Sequence, residues 1–401
     1  GDTPVSDNDN FRAEVASWLE ANCPASMRRP IVAEEMVWGG SRLAFLNDDQ
    51  RLWFERCRER GWFAPGWPKE YGGGGLAPKQ ARIVEEEMAR LSCRQPQYNL
   101  GVWMLGPVLL EVGTEEQKRE HLIPMMRGQQ RWCQGFSEPN AGSDLASLKT
   151  SAKRVQDEEG EAYIVNGSKI WTSDGDKADW MYALVRTDAG ARKQQGISFV
   201  LIDMHAPGVS VKPIELISGK SSFCEVFFDN VRVPLRQLVG PEGEGWAVAK
   251  KLLQHERAAM SKFAEGGAPS HDALAVARPY LDAASPTQAA IWRDRLAAQL
   301  MDAHAFALTH QRVTAQAMAR QDVSGPASIM KLVQTEQEVA KYELLVQIMG
   351  LRGLSWEGED FSQLEHDICR QWLLTKTYTM GGGTSEVQLN IIAKRVLGLP
   401  A

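Results

Sequence analysis

The chain falls into three blocks of different hydrophobic period. Up to about residue 130, apolar residues recur every three to four positions. Phe11, Val15, Trp18 and Leu19 share one face over 10–22, the spacing of an amphipathic helix with 3.6 residues per turn. Asn10 can cap it and Cys23-Pro24 ends it. The same pattern predicts helices over 48–61 and 77–92, with the Pro/Gly-rich turn FAPGWPKEYGGGG between them. The run GVWMLGPVLLEVG at 101–113 predicts a mostly apolar, buried helix. Another is predicted over 114–127, with Thr114 as N-cap and Gly128 as its stop.

The period then changes to two. Short apolar or alternating runs at 131–136, 182–186, 197–203, 209–213 and 224–228 predict strands, separated by Gly, Pro, Asp and Asn. Residues 162–165 and 168–173 flank Asn166-Gly167, the strongest short hairpin signal, so a hairpin turn is expected there. From Gly245 the helical period returns, over 245–264, 288–318, 326–349, 360–374 and 384–397, with Gly398 and Pro400 as the final stop. The expected fold is α+β in three domains: helical 1–130, β 131–238 and helical 239–401. No repeat of fixed period appears.

Composition narrows the function classes. A 401-residue chain with 43% hydrophobic and 24% charged residues is an ordinary globular protein. The net charge of −6 and the lack of a basic tract argue against nucleic acid or an anionic membrane as partner. No apolar run reaches the length of a membrane span, and the polar, acidic N-terminus is the reverse of a signal peptide. Six scattered cysteines without C-x-x-C pairs, and no histidines at ligand spacing, argue against a structural metal. The expectation is a cytoplasmic protein with reduced thiols.

Three places carry candidate chemistry. Over 132–175 a small-residue loop, Ser137–Ser143, adjoins a strand ending in Trp171-Thr172-Ser173. An aromatic face, hydroxyls and open backbone N–H groups suit a flat, polar-edged ligand; equally, Trp171 could be core and the loop solvated. On helix 245–264, Glu256 lies in a stripe with Ala249, Leu252, Leu253, Met260 and Phe263. A carboxylate there is costly unless paired or useful, and burial makes it a stronger base. It reads either as a general base or as half of a structural ion pair. At 381–384, three glycines precede Thr384, which caps a helix with Glu386 in its first turn. Glycines let backbone approach a ligand closely, though a well-capped helix after a loop reads the same way. Neither G-x-G-x-x-G after a strand nor G-x-x-x-x-G-K-[ST] is present, which removes the Rossmann and P-loop readings.

Together, WPKEYGG (67–73), GFSEPNAGSDLASLKT (135–150), NGSKIWTSDGDKADW (166–180), FFDNVRVP (227–234), QIMG (347–350) and GGTSEVQLNIIAKRVLGLP (382–400) resemble the FAD-dependent acyl-CoA dehydrogenases. The resemblance implies a helical domain, a β-barrel-like middle domain and a C-terminal four-helix bundle. It also implies α,β-dehydrogenation of an acyl-CoA thioester, as in β-oxidation, with an electron-transfer flavoprotein as acceptor. By motif, Gln134, Phe136, Ser137, Gly142, Trp171 and Ser173 would line FAD. Ser143 would sit on the thioester side, and Thr384 and Glu386 near the ribityl and phosphate region. Gly382 and Gly383 would lie at the substrate carbonyl.

Two departures sharpen this reading. Most members carry the base two residues before the loop threonine, where this chain has Gly382. A minority place it in a helix segment ending Glu-Arg, which QHERAAM matches; that makes Glu256 the expected base and Arg257 a CoA contact. The Arg-x-x-Phe-Gly segment with which many members bind a neighbouring subunit's flavin is missing. The chain therefore resembles subunits of heteromeric steroid side-chain or pimeloyl-CoA-type dehydrogenases. The implied assembly is a hetero-oligomer of α2β2 type, with a homo-oligomer as the alternative. A non-catalytic partner subunit and another flavin reaction on the same fold stay open, as does the acyl group.

Overall fold

The computed structural model describes residues 7–29, 31, 33–266, 271–319, 321 and 323–400. Contacts group the chain into two units, Gly1–Ile214 with Ser222–Pro269, and Glu215–Ser221 with Ser270–Ala401.

The first unit begins with helices α1 (Asp7–Asn22), α2 (Asp48–Glu59) and α3 (Pro78–Arg90). Asn47 caps α2 by accepting from the Gln50 N–H. Val15, Leu19, Trp53, Phe54, Val84 and Met88 bury the apolar stripes together. The run at 101–113 is a π-turn, Gly101–Leu105, leading into α4 (Gly106–Val112). A Cβ on Gly106 would sit 2.1 Å from the Trp67 ring, so only glycine allows that packing. Thr114 and Gln117 form a capping box on α5 (Glu115–Gln117), which continues through a π-turn, Lys118–Leu122, into α6 (Ile123–Met126).

The β block is one eight-stranded sheet. Its strands are β1 (Trp132–Gly135), β2 (Ser151–Asp157), β3 (Gly160–Ser173), β4 (Trp180–Arg186), β5 (Ile197–Asp203), β6 (Val209–Ile214), β7 (Phe223–Pro234) and β8 (Leu238–Val239). The order is β6-β7-β3-β2-β4-β5-β8, with β1 parallel to β4. The expected hairpin turn at Asn166-Gly167 is not there. Residues 160–173 are one continuous strand, and the turn falls earlier, between Asp157 and Gly160. Asn166-Gly167 instead lies opposite a bulge on β7, where two steps of β3 from Val165 to Gly167 face three of β7 from Val231 to Phe228. Asn166 Oδ1 accepts from the Asn230 N–H at 2.8 Å, which fixes the extra residue. Strand β2 was not expected, because SAKRVQD is mostly polar and exposed.

Helix α7 (Gly245–Gly266) belongs to this unit. Val248, Ala249 and Leu252 bury into the same core as Val108 and Leu109 of α4, and Lys251 pairs with Glu111. Its side chains are described through His255, so the predicted Glu256 and Arg257 side chains lie outside the described residues.

The second unit holds α8 (Ala273–Ala283), α9 (Pro286–Met318), α10 (Ser324–Met349), α11 (Gln363–Thr375) and α12 (Ser385–Ile391). Val276, Ala277, Leu281, Leu296, Tyr342, Leu345 and Ile368 form its core. Helix α8 was not expected; it continues through Pro279, which reads as a breaker in isolation. Ser362 and Glu365 form a capping box on α11, and buried Glu365 also accepts from Arg352 Nη2 at 2.9 Å and Tyr280 OH at 2.8 Å. Several large apolar side chains stay exposed, among them Met301, Leu308, Leu389 and Leu397. Among the described residues no helix is long and apolar enough to cross a membrane, and no group of three or more His, Cys, Asp and Glu could hold a metal. All six cysteines are free.

Candidate functional site

The sequence-predicted residues whose side chains are described lie on two pieces of chain, one in each unit. The first is the loop after β1 with the end of β3. The Ile170 N–H donates to the Ser137 carbonyl at 2.9 Å, which sets Ser137 beside the Trp171 strand end. Glu138 and Ala141 exchange two backbone hydrogen bonds of 3.0 Å, closing Pro139-Asn140 into a tight turn. The Glu138 carboxylate then reaches back and accepts from the Lys149 N–H (2.6 Å), the Thr150 N–H (2.9 Å) and Lys169 Nζ (2.9 Å). Lys169, on β3 and fully buried, also donates to the Phe136 carbonyl at 3.0 Å. Burial pulls the Lys169 ammonium down to about 8 against the attraction of Glu138. Burial works to raise Glu138, but Lys169, Thr150 and the Lys149 N–H outweigh it and hold the carboxyl below its ordinary value. Such a pair is worth little over an apolar substitute but costs much when half is removed. Its consequence here is a loop held at fixed points.

That loop carries Gly142, whose missing Cβ would meet nothing within 4 Å, and Ser143, which is exposed. Phe136 is buried edge-on against Tyr182 and Phe199, so its side chain serves the core and its carbonyl serves Lys169. Trp171 is 54% exposed, with its edge toward Phe223. Its φ of +58° is a left-handed conformation rare for an aromatic residue. Strain of this kind costs about 1–3 kcal/mol and collects at functional sites. Ser173 is exposed, and the chain beyond it is pinned by Arg131 Nη2 to Asp174 at 2.9 Å. Arg131 in turn lies over the Trp38 ring.

The second piece is the glycine loop. Gly382 and Gly383 have φ of +68° and +95°, which only glycine adopts without strain. Lys331 Nζ on α10 donates to the Gly383 carbonyl at 2.5 Å, and Gln388 Nε2 on α12 donates to the Gly382 carbonyl at 3.1 Å. Thr384 caps α12 by accepting from the Val387 N–H at 3.2 Å. The Glu386 carboxyl is held below its ordinary value by its own backbone N–H and the Thr384 hydroxyl.

A flat group with polar edges suits the first piece. The Trp171 indole is offered to solvent by a strained backbone, and Gly142 leaves open space beside the loop. Gln134 Oε1 and Thr172 Oγ1 are buried with no partner among the described residues. These features fit FAD, with Gln134, Ser137, Trp171, Thr172 and Ser173 as the residues able to hold it. Sequence reasoning missed Glu138, Lys169 and Lys331. For Lys169 the only signal was a lysine at an inward register position of NGSKIW; for Lys331 there was none.

Comparison with known proteins agrees across the whole chain. Family profiles match for the acyl-CoA dehydrogenase N-terminal domain at residues 7–129, the middle domain at 133–231 and the C-terminal domain at 243–397. The chain is 34% identical to the acyl-CoA dehydrogenase IpdE1 of Mycolicibacterium smegmatis, covering 97% of each. It is 37% identical to acyl-CoA dehydrogenase FadE34 of Mycobacterium tuberculosis over 91% of this chain, though that is only 48% of FadE34. Among solved structures it is similar to the Tcur3481-Tcur3483 steroid ACAD, with a TM-score of 0.72 and 29% identity over 98% of this chain and 97% of that one. It is also similar to a chain of the ChsE4-ChsE5 complex of Mycobacterium tuberculosis, with a TM-score of 0.69 and 28% identity over 100% and 99%. Match of all three domains in order, with a full-length relative above 30% identity, places the chain among the acyl-CoA dehydrogenases, FAD-dependent oxidoreductases that act on acyl-CoA.

Proposed function

We propose that the chain catalyses α,β-dehydrogenation of an acyl-CoA thioester to the 2-enoyl-CoA, with Glu256 as the base for the α-proton. The observation that carries this reading is Gly382. At the loop position where most relatives hold the base, this chain has a glycine in a left-handed conformation, so the loop can offer N–H groups but no carboxylate. The base then falls to α7, whose apolar face runs through Ala249 and Leu252 toward Glu256 in sequence. Bound FAD would accept the β-hydride at N5. Backbone N–H groups at Gly382 and Gly383 would hold the thioester oxygen, stabilising the charge that develops there as the proton leaves. Ser143 and Arg257 would meet the CoA side, and Thr384 and Glu386 the far side of the cofactor. The domain boundaries proposed with this reading are 1–130, 131–238 and 239–401.

The site residues set the test. Enzyme loaded with FAD, with its partner chain, is assayed on acyl-CoAs with an artificial electron acceptor. Glu256→Gln should lower kcat by about 10²–10⁴-fold; unchanged turnover would remove Glu256 from the mechanism.

A second reading rests on the heteromeric solved structures and on the apolar side chains the second unit exposes, such as Met301 at 71% and Leu308 at 52%. Exposed apolar surface of this kind marks association. In this reading the chain is a non-catalytic subunit that joins a different acyl-CoA dehydrogenase chain and completes that chain's flavin site. The flavin absorption of the chain purified alone, against that after co-expression with the partner, separates the two. Substrates that are bulky or ring-bearing fit the room left by Gly382.

A further inference from the structure

Three of the six cysteines meet in the helical core of the first unit. Cys23 follows α1, its N–H donating to the Leu19 carbonyl at 2.8 Å, and Cys57 lies on α2. Cys93 follows α3, its N–H donating to the Met88 carbonyl at 2.8 Å, and packs against the cluster that buries the other two. A backbone bond of 2.9 Å from the Arg94 N–H to the Met27 carbonyl ties the segment after α3 to the segment after α1. Arg28 adds a fixed cation. Its Nε and Nη2 donate to the Cys23 carbonyl at 3.0 and 2.8 Å, and Nη2 also donates to the Leu19 carbonyl at 3.2 Å.

The Cys23 thiol has two acceptors in reach, the Pro24 carbonyl at 3.8 Å and the Cys93 sulfur. The second of these makes the pair unequal. A donor on the Cys93 sulfur favours its thiolate, so the Cys93 thiol is held below its ordinary value by that bond and by the Arg28 charge, against burial. The same bond, with burial, pushes the Cys23 thiol up and keeps its proton on. Burial pushes Cys57 well up as well. Of the six cysteines, five are buried and Cys93 is half-buried. A partly exposed cysteine beside a cation, with a second thiol against its sulfur, is placed to meet an oxidant first and to be resolved by its neighbour.

We propose that Cys93 and Cys23 form a peroxide-responsive dithiol, in which Cys93 is oxidised first and Cys23 closes a disulfide that joins the end of α1 to the end of α3. The co-reactant is a hydroperoxide. The Cys93 thiolate attacks one peroxide oxygen, the O–O bond breaks, and the departing hydroxide takes a proton to leave as water. Cys93 is then a sulfenic acid. The Cys23 sulfur attacks the Cys93 sulfur, the S–O bond breaks, and the second hydroxide leaves as water with the Cys23 proton. The two thiols lose two electrons, which reduce the O–O bond. This site stands apart from the dehydrogenation reading and from Glu256.

The test uses the full chain, FAD-loaded and with its partner chain, fully reduced at the start. It is treated with one equivalent of hydrogen peroxide, free thiols are blocked with N-ethylmaleimide, and the peptides are mapped by mass spectrometry. The chain should lose both thiols of the pair and no other, and yield a Cys23–Cys93 crosslinked peptide that dithiothreitol cleaves. This measurement needs no variant to fold. Two variants then fix the order of events. Cys23→Ser keeps a donor beside Cys93 but cannot close the bond, so dimedone should trap a sulfenic acid on Cys93. Cys93→Ser should leave Cys23 a free thiol under the same treatment. A disulfide from Cys93 to Cys57, a sulfenic acid trapped on Cys23, or a Cys93 that stays open to N-ethylmaleimide after peroxide would overturn the proposal.

Discussion

The Ser137–Ser173 wall of the first unit and the Gly381–Thr384 loop of the second solve one problem in opposite ways. In the proposed function both present backbone and small polar groups to a ligand. The wall does so from inside a sheet, with the fully buried Lys169 and the Glu138 carboxylate tying the loop to β3. The glycine loop has no core beneath it, and two side-chain donors on its carbonyls hold it from the surface of α10 and α12. Fixed charge in a dry interior makes the wall rigid and intolerant of loss. Surface hydrogen bonds leave the loop adjustable and cheap to alter. The first region should therefore fail by unfolding and the second by losing function.

The largest effect should come from cutting the wall's buried pair. Lys169→Met leaves Glu138 charged without its ammonium, and should destabilise the protein by about 3–5 kcal/mol, read as a shift of the urea midpoint. A loss well below 1 kcal/mol would mean that the two backbone N–H groups alone satisfy Glu138. A middle-sized effect tests the charge logic of the second unit. The hydrogen-bonded Arg352 guanidinium holds the Glu365 carboxyl at about 2 against an ordinary 4.5. Because the folded value is depressed, its stabilisation is complete above pH 4.5 and is lost as pH falls from 4.5 toward 2. Acid titration followed by circular dichroism should show that loss, and Arg352→Met should bring it closer to 4.5. The smallest effect on stability should come from Trp171→Gly. Releasing the left-handed strain offsets the lost contact with Phe223, so the net change should stay within about 1 kcal/mol. FAD affinity, followed by flavin fluorescence, should nonetheless fall. A large loss of stability with intact FAD binding would make Trp171 a structural residue and erase the contrast between the regions.

The misplaced turn shows where local patterning stops being informative. Gly167 does take a positive φ, of +146°, but within a strand facing a bulge and not in a hairpin turn. Which of the two forms depends on what lies opposite, here Val231 and Asn230 on β7, more than sixty residues away. Strand β2 carries no apolar alternation because its residues are mostly polar, yet it pairs in register with β3 from Ser151↔Asn166 to Asp157↔Gly160. Helix α8 escaped because Pro279 breaks an isolated helix, whereas here Ala277 and Leu281 on either side of it are buried in the core of the second unit.

By itself the sequence determined the helix–sheet–helix order, the apolar stripe of α7 that leads to Glu256, and the glycines at 382 and 383, because period and backbone permissiveness are local properties. It also brought Ser137, Trp171 and Ser173 forward as ligand-facing candidates. Only the tertiary structure decided that Trp171 is exposed on a strained backbone, that Asn166-Gly167 faces a bulge on β7, and that Lys169 and Lys331 anchor the two loops. A lysine's partner is set by which strand or helix folds over it, and that pairing spans 31 residues for Lys169 with Glu138 and 52 for Lys331 with Gly383. No window of local sequence contains both ends of such a bond.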